Sequence, residues 1–221
     1  MEIKVIITGA TGLVGEGVLL ECLQNPAVSQ VLLVSRKHYP LEHPKLKEAL
    51  VQDFFHLDTV KDQLKGYDAC FYCAGVSSNG MTEADYSYIT YDTMLHFAGR
   101  LASMNPQMVF CHISGSGTDT TGKSKMMWAR VKGKAENAVL KLPFKQTYNL
   151  RPGAMKPSVG QRNVKGYYKI INALFPLLRG LFPGSTSTVR AVALAMINCV
   201  LQGYHKHTLE VNDIKALAGI K

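Results

Sequence analysis

A strand, a glycine-rich turn and a helix follow one another without interruption at the start of the chain. The apolar run at residues 3–7 is typical of a buried parallel strand, and apolar residues recur at helical spacing from Val14 onward. Gly9 suits a tight turn, Gly12 the close approach of a pyrophosphate, and Gly15 the packing of the helix on the strand. The spacing is G-x-x-G-x-x-G rather than G-x-G-x-x-G, but its context predicts a dinucleotide-binding turn, with a plain strand-to-helix connection as the alternative. The predicted cofactor contacts of this turn are Thr8, Gly9, Thr11, Gly12, Leu13, Val14 and Gly15.

Length and composition favour a single globular domain. The chain has 221 residues, of which 47% are hydrophobic and 19% are charged, so it can bury a full core. Met1 is followed at once by Glu2 and the first strand, which leaves no room for a signal sequence, and we therefore expect a cytoplasmic protein. No apolar run reaches the roughly 18 to 20 residues that a membrane span requires.

The charge of the chain is strongly positive. It carries 25 Lys and Arg against 16 Asp and Glu, a formal net charge of +9. This excess fits an anionic ligand such as a phosphorylated cofactor, and it leaves a nucleic acid or a membrane surface open as an alternative. No recognised nucleic-acid-binding motif accompanies the charge, so nucleic acid ranks lowest and is not expected as a partner.

The cysteines and histidines do not predict a metal or disulfide site. Cys70 and Cys73 have C-x-x-C spacing but lie in a predicted buried strand, where residues three apart face opposite sides of the sheet. Two buried thiols are therefore expected rather than a zinc or redox pair. His205 and His207 have no neighbouring ligands in the sequence, and exposed loop histidines are the better interpretation.

A second predicted strand, residues 30–35, ends at Ser35, Arg36 and Lys37. In dinucleotide-binding folds an acidic residue about 20 positions beyond the glycines binds the ribose hydroxyls of NAD, whereas an arginine there suits the 2′-phosphate of NADP. No carboxylate occupies this position. We therefore predict that Ser35, Arg36 and Lys37 bind the cofactor and that NADP(H) is preferred over NAD(H), with an Arg36 that only faces solvent as the alternative.

Strand and helix patterns alternate through residues 1–155. Further strands are predicted at Leu50–Phe54, Asp68–Cys73, Met108–Ile113 and Lys145–Leu150, and helices at Asp58–Leu64, with Asp58 as N-cap, Thr82–Met104 and Met127–Leu142. Asp53, in the third strand, is included among the predicted cofactor-binding residues. The alternation predicts one doubly wound α/β domain of Rossmann type, whose parallel sheet is covered by helices on both faces.

The remaining residues, 156–221, form a less regular tail. A Tyr-rich, basic stretch at residues 165–181 is broken by Pro176, and a helix at Val189–Leu201 and a short strand at Thr208–Val211 follow. A tail of this kind usually covers a substrate cleft, and extra packing at the end of the sheet is an equal alternative. Contact of residues 165–181 with a membrane surface is a weaker alternative, because their charges do not segregate to one helical face.

Five short motifs occur in the order and spacing seen in short-chain dehydrogenases/reductases. They are the glycine turn, Cys73-Ala74-Gly75, Ser114-Gly115-Ser116-Gly117, Lys132-Gly133-Lys134-Ala135-Glu136 and Leu150-Arg151-Pro152-Gly153. Residues 1–155 thereby resemble the atypical NAD(P)H-binding branch of that family, which includes the Tat-interactive proteins, NmrA-like proteins and nucleoside-diphosphate-sugar epimerase-like proteins. The resemblance implies a nicotinamide cofactor. It assigns further cofactor contacts to Cys73, Ala74, Gly75, Lys132, Arg151, Pro152 and Gly153.

The same resemblance implies the catalytic residues. In the family, a tyrosine four residues before an active-site lysine acts as the acid or base for a carbonyl or alcohol, and a serine on the preceding loop orients the substrate oxygen. The lysine binds the nicotinamide ribose and lowers the pKa of the tyrosine. Lys132 matches the lysine, and Ser114 and Ser116 are the candidate serines. The alternative for Lys132 is a solvated charge on a helix.

Several positions depart from this apparatus. The residue four before Lys132 is Trp128, whose indole N–H can donate a hydrogen bond but cannot exchange a proton near neutral pH. Gly115 replaces the second serine of the usual loop, and Thr90-Tyr91 stands where many family members carry an asparagine. Packing is the more ordinary role of the three tyrosines that could supply a displaced acid, which are Tyr91, Tyr167 and Tyr168.

Two functions follow from these residues at near parity. One is an NADP(H)-dependent oxidoreductase or sugar-nucleotide epimerase-like enzyme with a non-standard proton donor, which acts on a small molecule such as a carbonyl compound or a sugar nucleotide. The other is a cofactor-binding regulator or sensor with little or no turnover. The presence of Trp128 favours the second function, because general acid–base catalysis contributes about 100- to 10,000-fold in rate.

Overall fold

The computed structural model describes residues 2–164, 175–178 and 180–220. The strands in this part are β1 Ile3–Thr8, β2 Val28–Ser35, β3 Leu46–Leu50, β4 Ala69–Tyr72, β5 Val109–Ile113, β6 Gln146–Leu150, β7 Ala154–Lys156, β8 Thr186–Thr188 and β9 Thr208–Leu209. The main α-helices are α1 Leu13–Gln24, α2 Glu83–Ser87, α3 Thr93–Met104, α4 Met127–Val139, α5 Val189–Leu201 and α6 Val211–Leu217.

Seven of these strands form one parallel sheet in the order β3-β2-β1-β4-β5-β6-β9, and β7 pairs with β8 in a separate small sheet. Val5 of β1 lies opposite Val31 of β2 on one side and Ala69 of β4 on the other. The direction of strand succession reverses between β1 and β4. In open α/β sheets this reversal creates the crevice, beyond the carboxyl ends of the strands, where ligands bind. The predicted doubly wound fold of Rossmann type is confirmed.

Alternate residues of β1 enter separate cores on the two faces of the sheet. Ile3, Val5 and Ile7 belong to the core that α1 and α5 cover, whereas Ile6 belongs to the core that α3 and α4 cover. Burial of each of these side chains contributes about 1.5 to 3 kcal/mol relative to exposure. Helix α1, which follows the glycine turn, and helix α4, which carries Lys132, are therefore held on opposite faces of one sheet.

The third strand differs from its prediction. β3 begins earlier than the predicted Leu50–Phe54 and pairs along the whole second half of β2. It is the edge strand and only Ala49 in it is buried, so it lacks the continuous apolar run by which a central strand is recognised. Asp53 lies in the loop that follows, where its carboxylate accepts hydrogen bonds from the backbone N–H groups of Phe55 and His56 at 2.8 and 2.9 Å.

The predicted helix at Asp58–Leu64 was too long. A single 3₁₀ turn, Asp58–Val60, is present, and Leu57 rather than Asp58 occupies its N-cap position. The Asp58 carboxylate pairs instead with the Arg100 guanidinium on α3, at 2.5 Å. Asp58 thus forms an ion pair with a residue distant in the chain and does not cap a helix as predicted.

The helix predicted at Thr82–Met104 is present but is interrupted by a π turn at Tyr88–Asp92, between α2 and α3. In the tail, α5 has the predicted limits, and β9 joins the edge of the main sheet beside β6. Tyr167 and Tyr168, with the rest of residues 165–174, lie outside the described residues. No helix in the described ranges is long and apolar enough to cross a membrane.

Candidate functional site

The glycine turn lies at the carboxyl end of β1 and is closed by short backbone contacts. Gly9 has a φ of 75°, and a Cβ added there would lie 2.6 Å from backbone atoms of Cys73 and Ala74. The N–H of Gly12 donates a hydrogen bond to the carbonyl of Gly9 at 2.9 Å. A Cβ on Gly15 would overlap the Gly9 carbonyl. Close packing therefore requires a glycine at both positions, and at Gly9 the positive φ requires it as well.

The turn is joined to the next strand by the side chain of Thr8. Its buried Oγ1 accepts hydrogen bonds from the backbone N–H groups of Cys73 and Ala74, each at 3.2 Å. The structure thus brings two separately predicted cofactor segments together at the point where strand order reverses. Gly75, the next residue, is exposed and has open space around its Cα.

The first turn of α1 is suited to an anion. Gly12 occupies the N-cap position, so no side chain caps the helix there. The first N–H groups of a helix have no partners within it, and the helix dipole adds partial positive charge at the same end. A Cβ on Gly12 would meet only the Gly9 carbonyl, at 3.4 Å, which leaves room above the turn. An open cradle and an uncapped helix end together fit a dinucleotide pyrophosphate.

Two cations follow β2 at the same edge of the sheet. The Ser35 hydroxyl donates a hydrogen bond to the Lys37 carbonyl at 2.6 Å and folds this segment into a tight turn. Arg36 and Lys37 are exposed, and within the described residues neither forms an ion pair. The carboxylate of Asp53, by contrast, is bound within its own loop, where hydrogen bonding from His56 lowers its pKa.

The loop that follows β5 carries the two candidate serines. Ser114 is buried, and its Oγ lies 3.1 Å from Oγ1 of Thr118. Because the Thr118 hydroxyl donates to the Gly115 carbonyl at 2.7 Å, the Ser114 hydroxyl is the donor in the bond between them. Ser116 is exposed, and its N–H donates to the Pro152 carbonyl at 3.3 Å. Ser114 therefore orders the loop, and Ser116 faces the solvent edge.

Trp128 and Lys132 lie one helical turn apart on α4, facing this loop. A Cβ on Gly117 would lie 3.4 Å from the Trp128 ring, and a Cβ on Gly115 would lie 3.8 and 3.9 Å from Cδ and Cε of Lys132. Burial lowers the pKa of the Lys132 ammonium to about 8, although the nearby carboxylate of Glu136 acts in the opposite direction. Within the described residues Lys132 forms no ion pair. Its charge is available to a ligand above the loop.

A buried histidine, which the sequence analysis did not identify, lies beneath Lys132. His112 of β5 donates through Nδ1 to Oδ1 of Asn149 on β6, at 2.9 Å. Burial, followed by the positive charge of Lys132, lowers the pKa of His112 to about 4, so its ring is neutral near pH 7. Its only sequence signal is that His112 and Asn149 are polar residues in otherwise largely apolar strands.

The Arg-Pro-Gly motif supports the loop from below. The Arg151 guanidinium binds both carboxylate oxygens of Glu136, at 2.9 and 2.6 Å, and also Glu210 at 3.0 Å, which raises the pKa of Arg151. Pro152 accepts the hydrogen bond from Ser116, and a Cβ on Gly153 would overlap the Ser185 carbonyl. In this structure, all three residues contact other parts of the protein.

Of the candidate displaced acids, only Tyr91 is described. Its ring lies under the ammonium of Lys134, 3.9 Å from Nζ to the ring centroid, at a cavity of about 270 Å³ on the outer side of α4. A larger cavity, of about 880 Å³, is lined by residues such as Val109, Gln146 and Gly203, near the amino ends of β5 and β6. Parallel α/β sheets bind ligands at the opposite, carboxyl edge, so cavity size does not identify this site.

No group of three His, Cys, Asp or Glu side chains in the described ranges could hold a metal ion. Cys70 and Cys73 are free thiols, and burial raises the pKa of each.

More than half of the chain matches one known protein family. Residues 5–127 match the NAD dependent epimerase/dehydratase family. Protein HTATIP2 of Rattus norvegicus is 28% identical over 159 residues, which cover 69% of this chain and 62% of that protein. Protein fmp52, mitochondrial, of Emericella nidulans is 31% identical over 167 residues, which cover 72% of this chain and 68% of that protein. The chain spans 51 to 68% of the length of such relatives.

The fold is shared with solved structures of low sequence identity. The Bordetella bronchiseptica enzyme WbmF, in complex with NAD⁺ and UDP, superposes with a TM-score of 0.63. The sequences are 16% identical, and the match covers 99% of this chain and 78% of that one. At this identity the likeness establishes the shared fold alone.

Proposed function

Because this chain belongs to the NAD dependent epimerase/dehydratase family, we propose that it binds a nicotinamide dinucleotide along the carboxyl edge of its sheet. The observation that carries the proposal is the glycine turn, in which Gly9 and Gly15 allow contacts that no Cβ would permit. The uncapped first turn of α1 beside them would hold the pyrophosphate. The crystallised complex of WbmF with NAD⁺ and UDP supports this class of cofactor.

The cofactor is NADP(H) in preference to NAD(H). Arg36 and Lys37 follow β2 directly, at the position where this fold binds the adenosine ribose. Both are exposed, and neither forms an ion pair within the described residues. Two unpaired cations suit a 2′-phosphate, and no carboxylate is present in the turn to bind the ribose hydroxyls of NAD.

The substrate is a small molecule, either a carbonyl compound or a sugar nucleotide. When bound, the nicotinamide would supply the hydride chemistry. Lys132 would hold its ribose, Ser116 would bind the substrate oxygen from the exposed part of the loop, and Ser114 would keep that loop in shape. Trp128 can donate one hydrogen bond to a ligand but cannot deliver a proton. A second function, a sensor that binds the cofactor with little turnover, is favoured by this one residue.

A fluorescence titration with NADPH and, in parallel, with NADH tests the proposal. A panel of aldehydes, ketones and sugar nucleotides then tests for turnover. Tight NADPH binding with consumption of a carbonyl substrate would support the enzyme, and tight binding without turnover across the panel would favour the sensor. Failure to bind either dinucleotide would refute the assignment of the glycine turn.

We also propose a cytoplasmic location. The Emericella nidulans relative is named as mitochondrial, so that compartment is the alternative. Fractionation of cells that express the tagged chain would distinguish the two.

A further inference from the structure

Glu16, in the first turn of α1, is a fully buried carboxylate that the function proposed above does not use. Its Oε1 accepts hydrogen bonds from the Tyr39 hydroxyl at 2.9 Å and from the backbone N–H of Arg162 at 2.9 Å. Its Oε2 accepts one from the backbone N–H of Asn163 at 2.7 Å. Glu16 therefore joins α1 to two segments that are distant in the sequence.

The Glu16 carboxylate is held by hydrogen bonds. Within the described residues it forms no ion pair, and a buried carboxylate is costly unless hydrogen bonds replace its hydration. Three donors converge on it, and its place in the first turn of α1 adds the favourable end of the helix dipole. This amount of buried hydrogen bonding fixes the two segments strongly to the helix.

The first of these segments is residues 158–163, in the tail that the sequence predicts to cover a substrate cleft. The Gln161 side chain accepts from the Ser158 N–H at 2.6 Å and donates to the Leu13 carbonyl at 2.6 Å. A Cβ on Gly17 would clash with Cγ1 of Val189 on α5 and would lie 2.9 Å from Oε1 of Gln161, so the glycine makes room for both α5 and the segment. Residues 158–163 thus lie directly on the helix turn that the pyrophosphate would approach.

The second segment carries the cations of the adenosine end. Tyr39 follows Arg36 and Lys37, and its N–H donates to Glu48 of β3 at 2.8 Å. Burial, together with the Glu16 carboxylate, raises the pKa of Tyr39 to about 12, so the phenol keeps its proton and remains a donor. The position of this loop therefore depends on the same carboxylate as residues 158–163.

We propose that Glu16 is a positioning residue that couples the Arg36–Lys37 loop to residues 158–163. A dinucleotide phosphate bound by the loop would then tighten the substrate-side segment through Tyr39 and Glu16. Binding of the NADP(H) phosphate and ordering of residues 158–163 would then depend on the same contacts of Glu16. This inference rests on the proposed function for its ligand, but the hold of Glu16 on residues 158–163 does not.

Amide hydrogen exchange by NMR, without cofactor, tests that hold. In Glu16→Gln the side chain keeps one carbonyl oxygen, but its NH₂ cannot accept from a backbone N–H. We expect whichever of the Arg162 and Asn163 amides faces the new NH₂ group to exchange about tenfold faster, the effect of losing one hydrogen bond. Glu21→Gln is the matched control, since Glu21 lies on the same helix and contacts Arg190 instead. Equal exchange in Glu16→Gln and the control would overturn the proposal.

The coupling is tested with Tyr39→Phe, which removes one donor and leaves the carboxylate with two. We expect NADPH to bind about fivefold more weakly, because Arg36 and Lys37 are no longer held in position to bind the 2′-phosphate. We expect the affinity for NADH to be unchanged, because the glycine turn is intact. In the wild type, NADPH should slow exchange at Arg162 and Asn163, and in Tyr39→Phe it should not. Equal weakening of both dinucleotides would indicate a merely structural role and overturn the coupling.

The failure of the proposed function has a different signature. A wild-type protein that binds neither dinucleotide refutes that function and the coupling with it. The cofactor-free exchange of the two amides would still decide whether Glu16 holds residues 158–163. If Glu16→Gln does not fold, Glu16→Asp replaces it, because aspartate keeps the charge but is one methylene shorter and draws the carboxylate away from the Arg162 and Asn163 amides.

Discussion

Arg151 and Glu136 form a two-point ion pair beneath the serine loop, with Glu136 fully buried and Arg151 only 14% exposed. Loss of the guanidinium would leave the carboxylate buried without an ion-pair partner in the part of the chain that the structure describes. We expect Arg151→Met to lower the free energy of unfolding by about 3 to 5 kcal/mol, measured by urea denaturation.

The double variant Arg151→Met/Glu136→Met is the matched control, since it removes both charges. It should be markedly more stable than the single variant, because apolar replacement of a buried pair is often nearly neutral. Equal destabilisation of the two would show that the buried charge is not the cause. If the folded double variant then fails to bind NADPH, the predicted cofactor role of Arg151 would be supported.

Gly15→Ala tests the packing of the glycine turn. The new Cβ would overlap the Gly9 carbonyl, so helix and turn must separate and dinucleotide binding should fall by at least tenfold, with lower stability. Gly99→Ala is the control, because Gly99 lies within α3 with nothing within 4 Å of its added Cβ. That change should raise stability by up to about 1 kcal/mol. Dinucleotide titrations that do not distinguish the two variants would contradict the assigned packing role.

The sequence predicted the parts of this protein that depend on local pattern. The strand–turn–helix at Gly9–Gly15 and the central strands carry strong apolar periodicity, and their limits are close to those observed. β3 was misplaced because an edge strand that buries only Ala49 has no apolar run. The residues that the sequence did not identify act through distant contacts. Glu16 meets Asn163 across 147 positions, and His112 meets Asn149 across 37, which no local spacing encodes.

Arg36→Glu tests the preference for NADP(H). The substitution places a carboxylate where the 2′-phosphate would bind, so NADPH affinity should fall by at least tenfold, whereas NADH, which lacks that phosphate, should change little. Lys141→Glu, an equal charge reversal at an exposed position in the turn after α4, controls for the altered net charge. Parallel fluorescence titrations measure both ligands. Equal losses for NADPH and NADH would rule out the 2′-phosphate assignment.

His112 predicts a pH dependence of stability. The folded state keeps the ring neutral down to a pKa of about 4, whereas in the unfolded chain it gains a proton near the ordinary 6.5. The unfolded state therefore binds more protons in this window, and stability that is complete above pH 6.5 is lost as the pH falls toward 4. The loss attributable to this residue is roughly 3 kcal/mol.

His112→Gln should flatten that part of the stability profile, although it lowers stability at pH 7 by disturbing the bond to Asn149. His205→Gln, at an exposed position, should leave the profile unchanged. Urea unfolding between pH 4 and 7 measures the slopes. A His112→Gln profile parallel to that of the wild type would mean that the buried ring is not the titrating group.

Trp128→Tyr tests whether turnover is limited by the missing proton donor. The new phenol would lie one turn before Lys132, whose positive charge favours the phenolate and so eases proton exchange with a substrate oxygen. Carbonyl-dependent NADPH oxidation should rise by about 100-fold or more, within the range that general acid catalysis contributes. Trp128→Phe removes the indole without adding a hydroxyl and should give no gain. If both variants bind NADPH and neither turns over faster, the proton reaches the substrate from another residue, or the protein does not carry out this chemistry.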